Sequence, residues 1–431
     1  MKKRTYRTVK INDLDQPALD AAVQGRRLIV GIDVAKVDMV AALADRDAEI
    51  VDGQVEVLKT IKWRHPTETP LFVELVASLP AASVELVMEP TGTYGDALRY
   101  QLQSRGLTVF RVSSKKVHDG AEVYDGVPSS HDAKASAIIV KLQLDRLGKP
   151  WPIETNELRE LKAALRVMAF HDRQVQEVIN HLEALLSRHW PEVTAIMELT
   201  SVTLLTLLSA YGSPAVIASR RAEARRLMRK ACRGRLSAEK VEAVLESSAG
   251  TVGLPMTSEE VVALKVLAEE ELRSSRASAQ ATRRVEQLSQ SMAEVASMGQ
   301  VVGKATAAVL TCTVGDPLKF GHAKAYEKAA GMNVKIRQSG KYCGRLKLTK
   351  RGSGLARQYL YLAALRLIQH DPVVRAWYLR KVERDGGRQK MKAVVAVMRK
   401  LIRALWHVGR GERFDSSKLF DVARLGLKVT A

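Results

Sequence analysis

Residues 27–40 have the sequence Arg-Leu-Ile-Val-Gly-Ile-Asp-Val-Ala-Lys-Val-Asp-Met-Val, and this stretch decides the fold predicted for the first third of the chain. The aliphatic residues at its start predict a buried β-strand. Asp33 ends that strand, and a carboxylate buried there without a partner is costly, so it needs a cation or water. Taken alone, Asp33 is explained equally well as a strand-end residue that begins a turn.

A second apolar run ends in another acidic residue. Residues 84–95 have the sequence Val-Glu-Leu-Val-Met-Glu-Pro-Thr-Gly-Thr-Tyr-Gly, in which Glu89 ends the predicted strand. A helical stretch at 96–105 and a third strand at 107–112 follow, and Asp132 then opens a further helical run. The sequence therefore places three carboxylates at the ends of elements in one α/β unit.

This arrangement has the chemistry of a magnesium site. Asp33, Glu89 and Asp132 supply carboxylate oxygens, which are the ligands that Mg²⁺ prefers in proteins. Two metal ions about 4 Å apart can hold the attacking and leaving oxygens of a phosphodiester. The short runs at 41–43 and 49–58 predict strands that continue a meander beside the first strand, as in an RNase H-like sheet.

The totals favour a nucleic-acid-binding protein of two or three domains. The chain has 431 residues, with 68 Lys and Arg against 47 Asp and Glu, and a formal net charge of +21. A basic protein of this size most often binds nucleic acid, and a ribosomal or membrane-surface role is the weaker alternative. We expect no membrane-spanning helix, because no apolar run of about 18 residues occurs. The three cysteines are far apart and form no disulfide or zinc pattern, so we expect a reducing cytoplasm.

Two seams of apolar residues in the middle of the chain have coiled-coil spacing. The first consists of Leu158, Leu161, Leu165, Met168, Val175, Ile179, Leu182 and Leu186, with Asp172 as its one polar member. The second, shorter seam consists of Ala281, Val285, Leu288, Met292 and Val295. We expect the two seams to pack antiparallel within the chain or to pair between subunits.

Positive charge is concentrated in two stretches. Residues 220–235 are densely basic, which fits a solvated helix face and a phosphate-contacting insert equally well. Residues 331–410 contain 20 Lys and Arg against three Asp and Glu, or about +17, which is typical of binding to a phosphate backbone. Residues 297–332 predict two helices joined at Gly303, a turn whose backbone N–H groups can hold a phosphate.

A glycine-rich basic loop within this C-terminal region contains Ser339. By default this serine is an ordinary loop residue. Because cations flank it, its hydroxyl would face a phosphate held by positive charge, which is the setting in which a serine attacks phosphorus. The candidate phosphate-binding residues are Arg337, Lys341, Arg345, Lys347, Lys350, Arg351 and Arg357.

Together these motifs resemble those of the insertion sequence 110 family of transposases, the DEDD recombinases guided by a bridge RNA and related to the Piv invertase. The matching motifs are Gly31-Ile-Asp-Val-Ala-Lys36, Glu89-Pro-Thr-Gly-Thr-Tyr-Gly95, His131-Asp-Ala-Lys134, Ser339-Gly340, Leu348-Thr-Lys-Arg-Gly352 and Leu355-Ala-Arg357. They occur in the family's order, and the resemblance covers residues from about 27 to about 410.

The resemblance implies an α/β unit followed by a mainly α-helical remainder. The expected segments are an N-terminal arm at 1–25, a RuvC/RNase H-like DEDD domain at 26–152, a coiled-coil dimerisation region with a basic insert at 153–296, a basic and mostly helical transposase domain at 297–412, and a tail at 413–431.

The resemblance also implies a mechanism and a set of partners. Asp33, Glu89 and Asp132 are expected to bind Mg²⁺, with two ions in the intact family site, and Ser339 to attack DNA and form a phosphoserine link. The implied partners are donor and target DNA, a structured guide RNA, and further copies of the chain in a homodimer that assembles into a tetramer.

One departure from the family pattern concerns activity. The family's fourth acidic residue lies three positions after the third, and here that position is Ala135, on the same helix face as Asp132. Either three carboxylates suffice, or the chain is a substituted, inactive form, which is what we expect.

Two rival functions remain open. A RuvC-like junction nuclease would hydrolyse DNA without needing Ser339. A non-catalytic nucleic-acid-binding protein would not need clustered carboxylates, which repel one another without a metal.

Overall fold

The computed structural model describes residues 7–336, 338–340, 342–344, 346–422 and 425. The chain forms two compact units, residues 1–154 and 155–431. The strands of the first unit are β1 (Val9–Lys10), β2 (Arg27–Asp33), β3 (Asp38–Asp45), β4 (Ile50–Val51), β5 (Gln54–Val55), β6 (Lys59–Arg64), β7 (Ser83–Met88), β8 (Thr108–Arg111) and β9 (Lys149–Pro150). Its helices are α1 (Gln16–Val23), α2 (Thr69–Ser78), α3 (Asp96–Ser104), α4 (Ser114–Asp125) and α5 (Asp132–Leu144).

Seven of these strands form one mixed sheet in the order β1-β6-β3-β2-β7-β8-β9. The antiparallel meander consists of β2, β3 and β6, and β7 and β8 run parallel to β2. A three-stranded meander continued by two strands parallel to its first strand is the RNase H-like arrangement. The predicted α/β fold of this unit is therefore confirmed.

Helices cover both faces of the sheet. Alternate residues of β2 point to opposite faces and so pack against different helices. Leu28, Val30 and Ile32 lie in a core with residues of α1, α2 and α3. Ile29 lies in a second core with residues of α4 and α5. The odd-numbered residues of β2 therefore face α5, and this parity decides where Asp33 points.

Two details of the predicted sheet were wrong. The stretch 49–58 forms the separate hairpin β4–β5, and the third strand of the meander is β6. Polar residues alternate in β6 with buried Ile61 and Trp63, so it has no continuous apolar run to reveal it. The arm predicted at 1–25 is also part of the fold from residue 7 onward, because β1 pairs with β6 and α1 buries Leu19 and Val23.

The second unit is mainly helical. Its helices are α6 (Asn156–His189), α7 (Val193–Ile196), α8 (Val202–Tyr211), α9 (Pro214–Ser219), α10 (Arg221–Cys232), α11 (Ala238–Ala249), α12 (Ser258–Leu288), α13 (Ala293–Val302), α14 (Lys304–Thr313), α15 (Ala323–Ala329), α16 (Gly354–His370), α17 (Pro372–Arg384) and α18 (Lys390–Val408). Four two-residue strands, β10 (Val334–Lys335), β11 (Gln338–Ser339), β12 (Tyr342–Cys343) and β13 (Lys347–Leu348), lie between α15 and α16.

The two longest helices, α6 and α12, pack antiparallel within the chain. Ser278 Oγ donates to Asp172 Oδ1 at 2.7 Å, and near the other end His189 Nε2 lies 3.4 Å from Glu260 Oε1. Asp172 also accepts a hydrogen bond from the Tyr359 hydroxyl of α16 at 2.5 Å, so the one polar residue of the first seam has two partners.

The residues of the second seam are divided between two helices. The helix α12 ends at Leu288, and α13 begins at Ala293 after a short turn. Met292 therefore lies in the turn and Val295 in α13. The expected helix–turn–helix at Gly303 is present, because α14 starts directly after this residue, whose φ is 84°.

The predicted tail at 413–431 also contributes to the core. Phe420 is buried and lies 4.6 Å from the Trp377 ring, measured between ring centroids. The Lys400 ammonium donates to the carbonyl of Leu419 at 2.5 Å. No described helix is long and apolar enough to cross a membrane.

Candidate active site

Asp33 and Glu89 lie side by side at the same edge of the sheet. The strands β2 and β7 are parallel neighbours, and Ile32 is opposite Met88 in their register. Asp33 is the last residue of β2, and Glu89 is the first residue after β7. Both have the parity of residues that face α5, since Ile29 of β2 and Val87 of β7 lie in the core on that side. Sequence position alone thus brings these two carboxylates together.

Asp132 is the first residue of the helix that covers this face. The ring of His131 caps α5, since its Nδ1 accepts from the Lys134 backbone N–H at 3.3 Å. Asp132 is exposed, whereas Asp33 and Glu89 are half-buried. The helix N-terminus carries a partial positive charge, which favours a carboxylate at this position.

Gly31 allows α5 to approach the strand closely. A Cβ atom at this position would lie 2.5 Å from the Ser136 carbonyl oxygen and 2.8 Å from the Val140 backbone nitrogen. Any larger residue would therefore push the helix backbone away from β2. The glycine two residues before Asp33 thus sets the distance between β2 and α5 around Ser136 and Val140.

The three carboxylates influence one another electrostatically. Burial, and after it the negative charges of Asp132 and Glu89, together raise the pKa of Asp33 from its usual value of 3.8 to about 6. The backbone N–H of Val34 opposes this rise by a hydrogen bond. A cation bound beside Asp33 would relieve the repulsion that its two acidic neighbours exert on it.

The donor chemistry fits a hard divalent cation, but the side chains do not converge on one point. Among the described residues, no group of three or more His, Cys, Asp and Glu is close enough together to hold a metal ion. Glu89 Oε1 instead accepts a hydrogen bond from the Thr91 hydroxyl at 3.0 Å. Binding one cation at this site would require the carboxylates to rotate toward it.

Ala135 lies one turn after Asp132 and is 8% exposed. It belongs to the apolar core between α5 and the sheet. The structure thus gives this alanine a packing role at the position where the resemblance led us to expect a fourth acidic residue.

Lys134, the last residue of the motif His131-Asp-Ala-Lys134, has a structural role that its sequence pattern does not indicate. Its side chain is 2% exposed, and its ammonium group lies 2.8 Å from Asp125 Oδ1. It also donates to the carbonyl oxygens of Val127 at 2.6 Å and Ser129 at 2.7 Å. These three contacts use all three N–H donors of the lysine and fix the loop that leads into Asp132. A lysine beside an acidic motif usually lies in solvent, so the pattern gave no signal for this role.

Comparison with known proteins gives matches over both units. A family model described as a transposase of the DEDD IS110 type matches residues 30–191, and the model of the "Transposase IS116/IS110/IS902 family" matches residues 295–379. The chain belongs to the IS110 family of transposases. The first matched range contains the three carboxylates, and the second contains Ser339. Residues 192–294 lie outside both ranges.

Two curated relatives come from insertion elements. The chain is 24% identical over 394 residues to the "Insertion element IS900 uncharacterized 42 kDa protein" of Mycobacterium paratuberculosis, a match covering 87% of this chain and 94% of the relative. It is 26% identical over 314 residues to the "Insertion element IS110 uncharacterized 43.6 kDa protein" of Streptomyces coelicolor, which covers 69% of this chain and 75% of the relative.

Solved structures of RuvC also match part of the chain. "T. thermophilus RuvC in complex with Holliday junction substrate" is 13% identical, with 29% of this chain and 99% of that chain covered and a TM-score of 0.22. "Thermus thermophilus RuvC structure" is 12% identical over the same shares, with the same TM-score. These scores are too low to bear on the fold, which rests on the strand order.

In this transposase Ser339 lies near the tip of an exposed β-hairpin in the second unit. At the base of the hairpin, Val334 pairs with Leu348 and Lys335 with Lys347. Next to the turn, Gln338 pairs with Cys343 and Ser339 with Tyr342. Gly340 follows the serine with a φ of 54°, which begins the turn. Both Ser339 and Tyr342 are exposed.

The base of the hairpin is fixed by a close backbone contact. A Cβ at Gly352 would lie 2.5 Å from the Ala329 carbonyl oxygen, and one at Gly331 would lie 2.9 Å from the Arg351 backbone. The Lys350 N–H also donates to the Gly331 carbonyl at 3.1 Å.

The candidate phosphate-binding cations of the transposase fall into two groups. Lys347, Lys350 and Arg351 are exposed, and Arg357 is half-buried and donates to the Gly352 carbonyl at 3.0 Å. Arg337, Lys341 and Arg345 lie outside the described residues.

Proposed function

We propose that this transposase is an RNA-guided DNA recombinase that cuts and rejoins DNA strands through a phosphoserine at Ser339, with Mg²⁺ held by Asp33, Glu89 and Asp132. The observation that supports the metal part of the proposal is the placement of Asp33 and Glu89 on neighbouring parallel strands, below the helix that begins at Asp132. Guidance by a bridge RNA and assembly into a tetramer are supported by the family resemblance alone.

The proposed chemistry assigns each group one task. The cation, when bound to the three carboxylates, stabilises the charge that develops on the phosphate oxygens. The Ser339 oxygen attacks phosphorus and loses its proton, while the bond from phosphorus to the leaving sugar oxygen breaks and that oxygen takes up a proton. Rejoining reverses these steps with the hydroxyl of a different strand. The exposed position of Ser339 at the end of a hairpin suits a nucleophile that must reach a bulky substrate.

Ala135 is the residue on which activity of this chain should depend. With three carboxylates the site offsets less of the charge of two Mg²⁺ ions, and water replaces a lost ligand without its charge. We therefore expect the chain to bind DNA but to recombine poorly, and Ala135→Asp to restore Mg²⁺-dependent exchange. An aspartate at position 135 lies on the same helix face as Asp132. Burying its carboxylate costs free energy, which the bound cation must offset.

The test is recombination between two plasmids with a matched guide RNA, comparing the chain with its Ala135→Asp variant. Ala135→Asn provides the control, because it has a similar shape and no charge. Full activity with Ala135, or no gain with aspartate, would reject the placement of the fourth ligand.

A further inference from the structure

One face of α10 is buried in the second unit, so the opposite face of the helix points to solvent. Ala224, Met228 and Cys232, spaced four residues apart, are buried in the second unit. This spacing places them on one side of the helix, so that the remaining side chains lie on its flanks and its outer face.

The neighbouring helix α11 uses part of the positive charge of α10. Glu242 accepts from Arg225 Nε at 2.5 Å and from Arg225 Nη2 at 2.7 Å, and from Arg221 Nη2 at 3.1 Å. The two guanidinium groups lower the pKa of Glu242 to about 2. Arg220 lies 4.0 Å from Glu223. Three of the eight cations in residues 220–235 are thus paired with carboxylates, and two of them, Arg221 and Arg225, connect α10 to α11.

The other five cations form an exposed group, here called the α10 patch. It consists of Arg226, Arg229, Lys230, Arg233 and Arg235. None of the five forms an ion pair with any carboxylate in the part of the chain that the structure describes. Like charges three and four residues apart on a helix repel one another and destabilise it.

An ordinary structural explanation accounts for only part of this patch. Cations in the last turn of a helix stabilise its dipole, and Arg229 and Lys230 occupy that turn. Arg226 lies before it, and Arg233 and Arg235 lie beyond the end of the helix, on a turn in which Arg233 has a φ of 48°. A solvated helix face would also include acidic residues among the basic ones, whereas Glu223 is the only acid in this segment.

We propose that the α10 patch binds the phosphate backbone of duplex DNA and gives the transposase a contact to DNA outside the two regions that match the family models. Within the helix the patch extends from Arg226 to Lys230, about 6 Å at 1.5 Å per residue, and Arg233 and Arg235 continue it beyond the helix end. A duplex carries one charge per about 1.7 Å of its axis, so the patch can meet several phosphates. Contacts from these side chains to the phosphates of the DNA do not read the bases, so we expect binding to be independent of DNA sequence. DNA is the polyanion on which this family acts, and it extends beyond any cleavage site.

The experiment measures binding of a long duplex of arbitrary sequence by the full chain in EDTA, over a series of salt concentrations. Metal chemistry and Ser339 play no part in this measurement, so its outcome is separate from that of the proposed function. The patch variant is Arg226→Gln, Arg229→Gln and Lys230→Gln. The matched control is Arg276→Gln, Arg283→Gln and Arg284→Gln, which removes three exposed cations from α12 of the same unit.

We expect the patch variant to bind about tenfold more weakly at low salt and to lower the slope of log affinity against log salt by up to about 2.7, or about 0.9 per lost contact. The control variant should change both quantities much less. A charge-retaining variant, Arg226→Lys with Arg229→Lys, should bind like the original chain, and thermal unfolding checks that all variants fold.

Three results would overturn the proposal. Equal losses in the patch and control variants would show an effect of net charge alone. Unchanged binding by the patch variant would show that the patch makes no contact. A loss seen with duplex RNA and not with duplex DNA would remove the assignment to DNA.

Discussion

Among single residues, Asp33 gives the clearest link between structure and a measurable quantity. Its pKa in the folded protein, about 6, lies above the ordinary value of 3.8, so the native state binds its proton more tightly than the unfolded state does. Its contribution to stability is therefore present below the unfolded pKa and is lost as the pH rises through about 6. Without a bound metal, the transposase therefore lacks this contribution to its stability at neutral pH.

The corresponding prediction concerns Asp33→Asn in EDTA. Because asparagine does not ionise, the variant should gain melting temperature relative to the original chain as the pH rises from about 4 to about 7. Thermal unfolding at several pH values measures this difference. Asp13→Asn, which changes an exposed carboxylate, serves as the control and should show no such trend. A difference that is constant with pH would contradict the electrostatic account of the site.

Some of these residues were predictable from sequence and others were not. Asp33 and Glu89 were, because each follows an apolar run that can only be a buried strand, and parallel strands end at one edge. The buried pairing of Lys134 with Asp125 was not, because the segment that folds over the lysine has no apolar pattern. The position of Ser339 on a hairpin was also missed, since strands of two residues leave no periodicity.

Among the elements, the contact between β2 and α5 sets the geometry of the site. Gly31→Ala would put a methyl group 2.5 Å from the Ser136 carbonyl, so the helix backbone must move and carry Asp132 with it. We expect a loss of about 1–3 kcal/mol in unfolding free energy and weaker binding of Mg²⁺.

Calorimetric titration with Mg²⁺ and denaturant unfolding measure these two effects. Gly321→Ala is the control, because a Cβ there has open space around it. Unchanged metal binding in Gly31→Ala, together with a loss of stability, would show that the packing of α5 does not position the carboxylates.

The sequence patterns predicted the helices better than the outer strands. The residues of the first predicted seam, from Leu158 to Leu186, all lie in α6, because a long apolar stripe at helical spacing identifies a helix. The strands β1 and β6 lie toward the edge of the sheet, and β6 alternates polar and apolar residues, so neither has a continuous apolar run. The end of α12 at Leu288 was missed because the apolar spacing continues across the turn into α13.

For the whole molecule, the charge distribution predicts how DNA binding responds to salt. Residues 331–410 have 20 Lys and Arg against three acidic residues, and each phosphate contact releases condensed counterions. Affinity for duplex DNA should therefore fall by orders of magnitude as salt rises from about 50 to about 200 mM. Fluorescence anisotropy at several salt concentrations measures the slope. A nearly flat response would contradict a backbone-binding role for this region.

We propose that the transposase joins itself to DNA through Ser339. The most direct measurement is a denaturing gel of labelled DNA after reaction with the Ala135→Asp variant in Mg²⁺, with the attached residue mapped by mass spectrometry. We expect a covalent protein–DNA adduct at Ser339 that is absent in Ser339→Ala, while binding of DNA is nearly unchanged because only one hydroxyl is lost. An adduct that persists in Ser339→Ala, or cleaved DNA with no adduct in either protein, would contradict it.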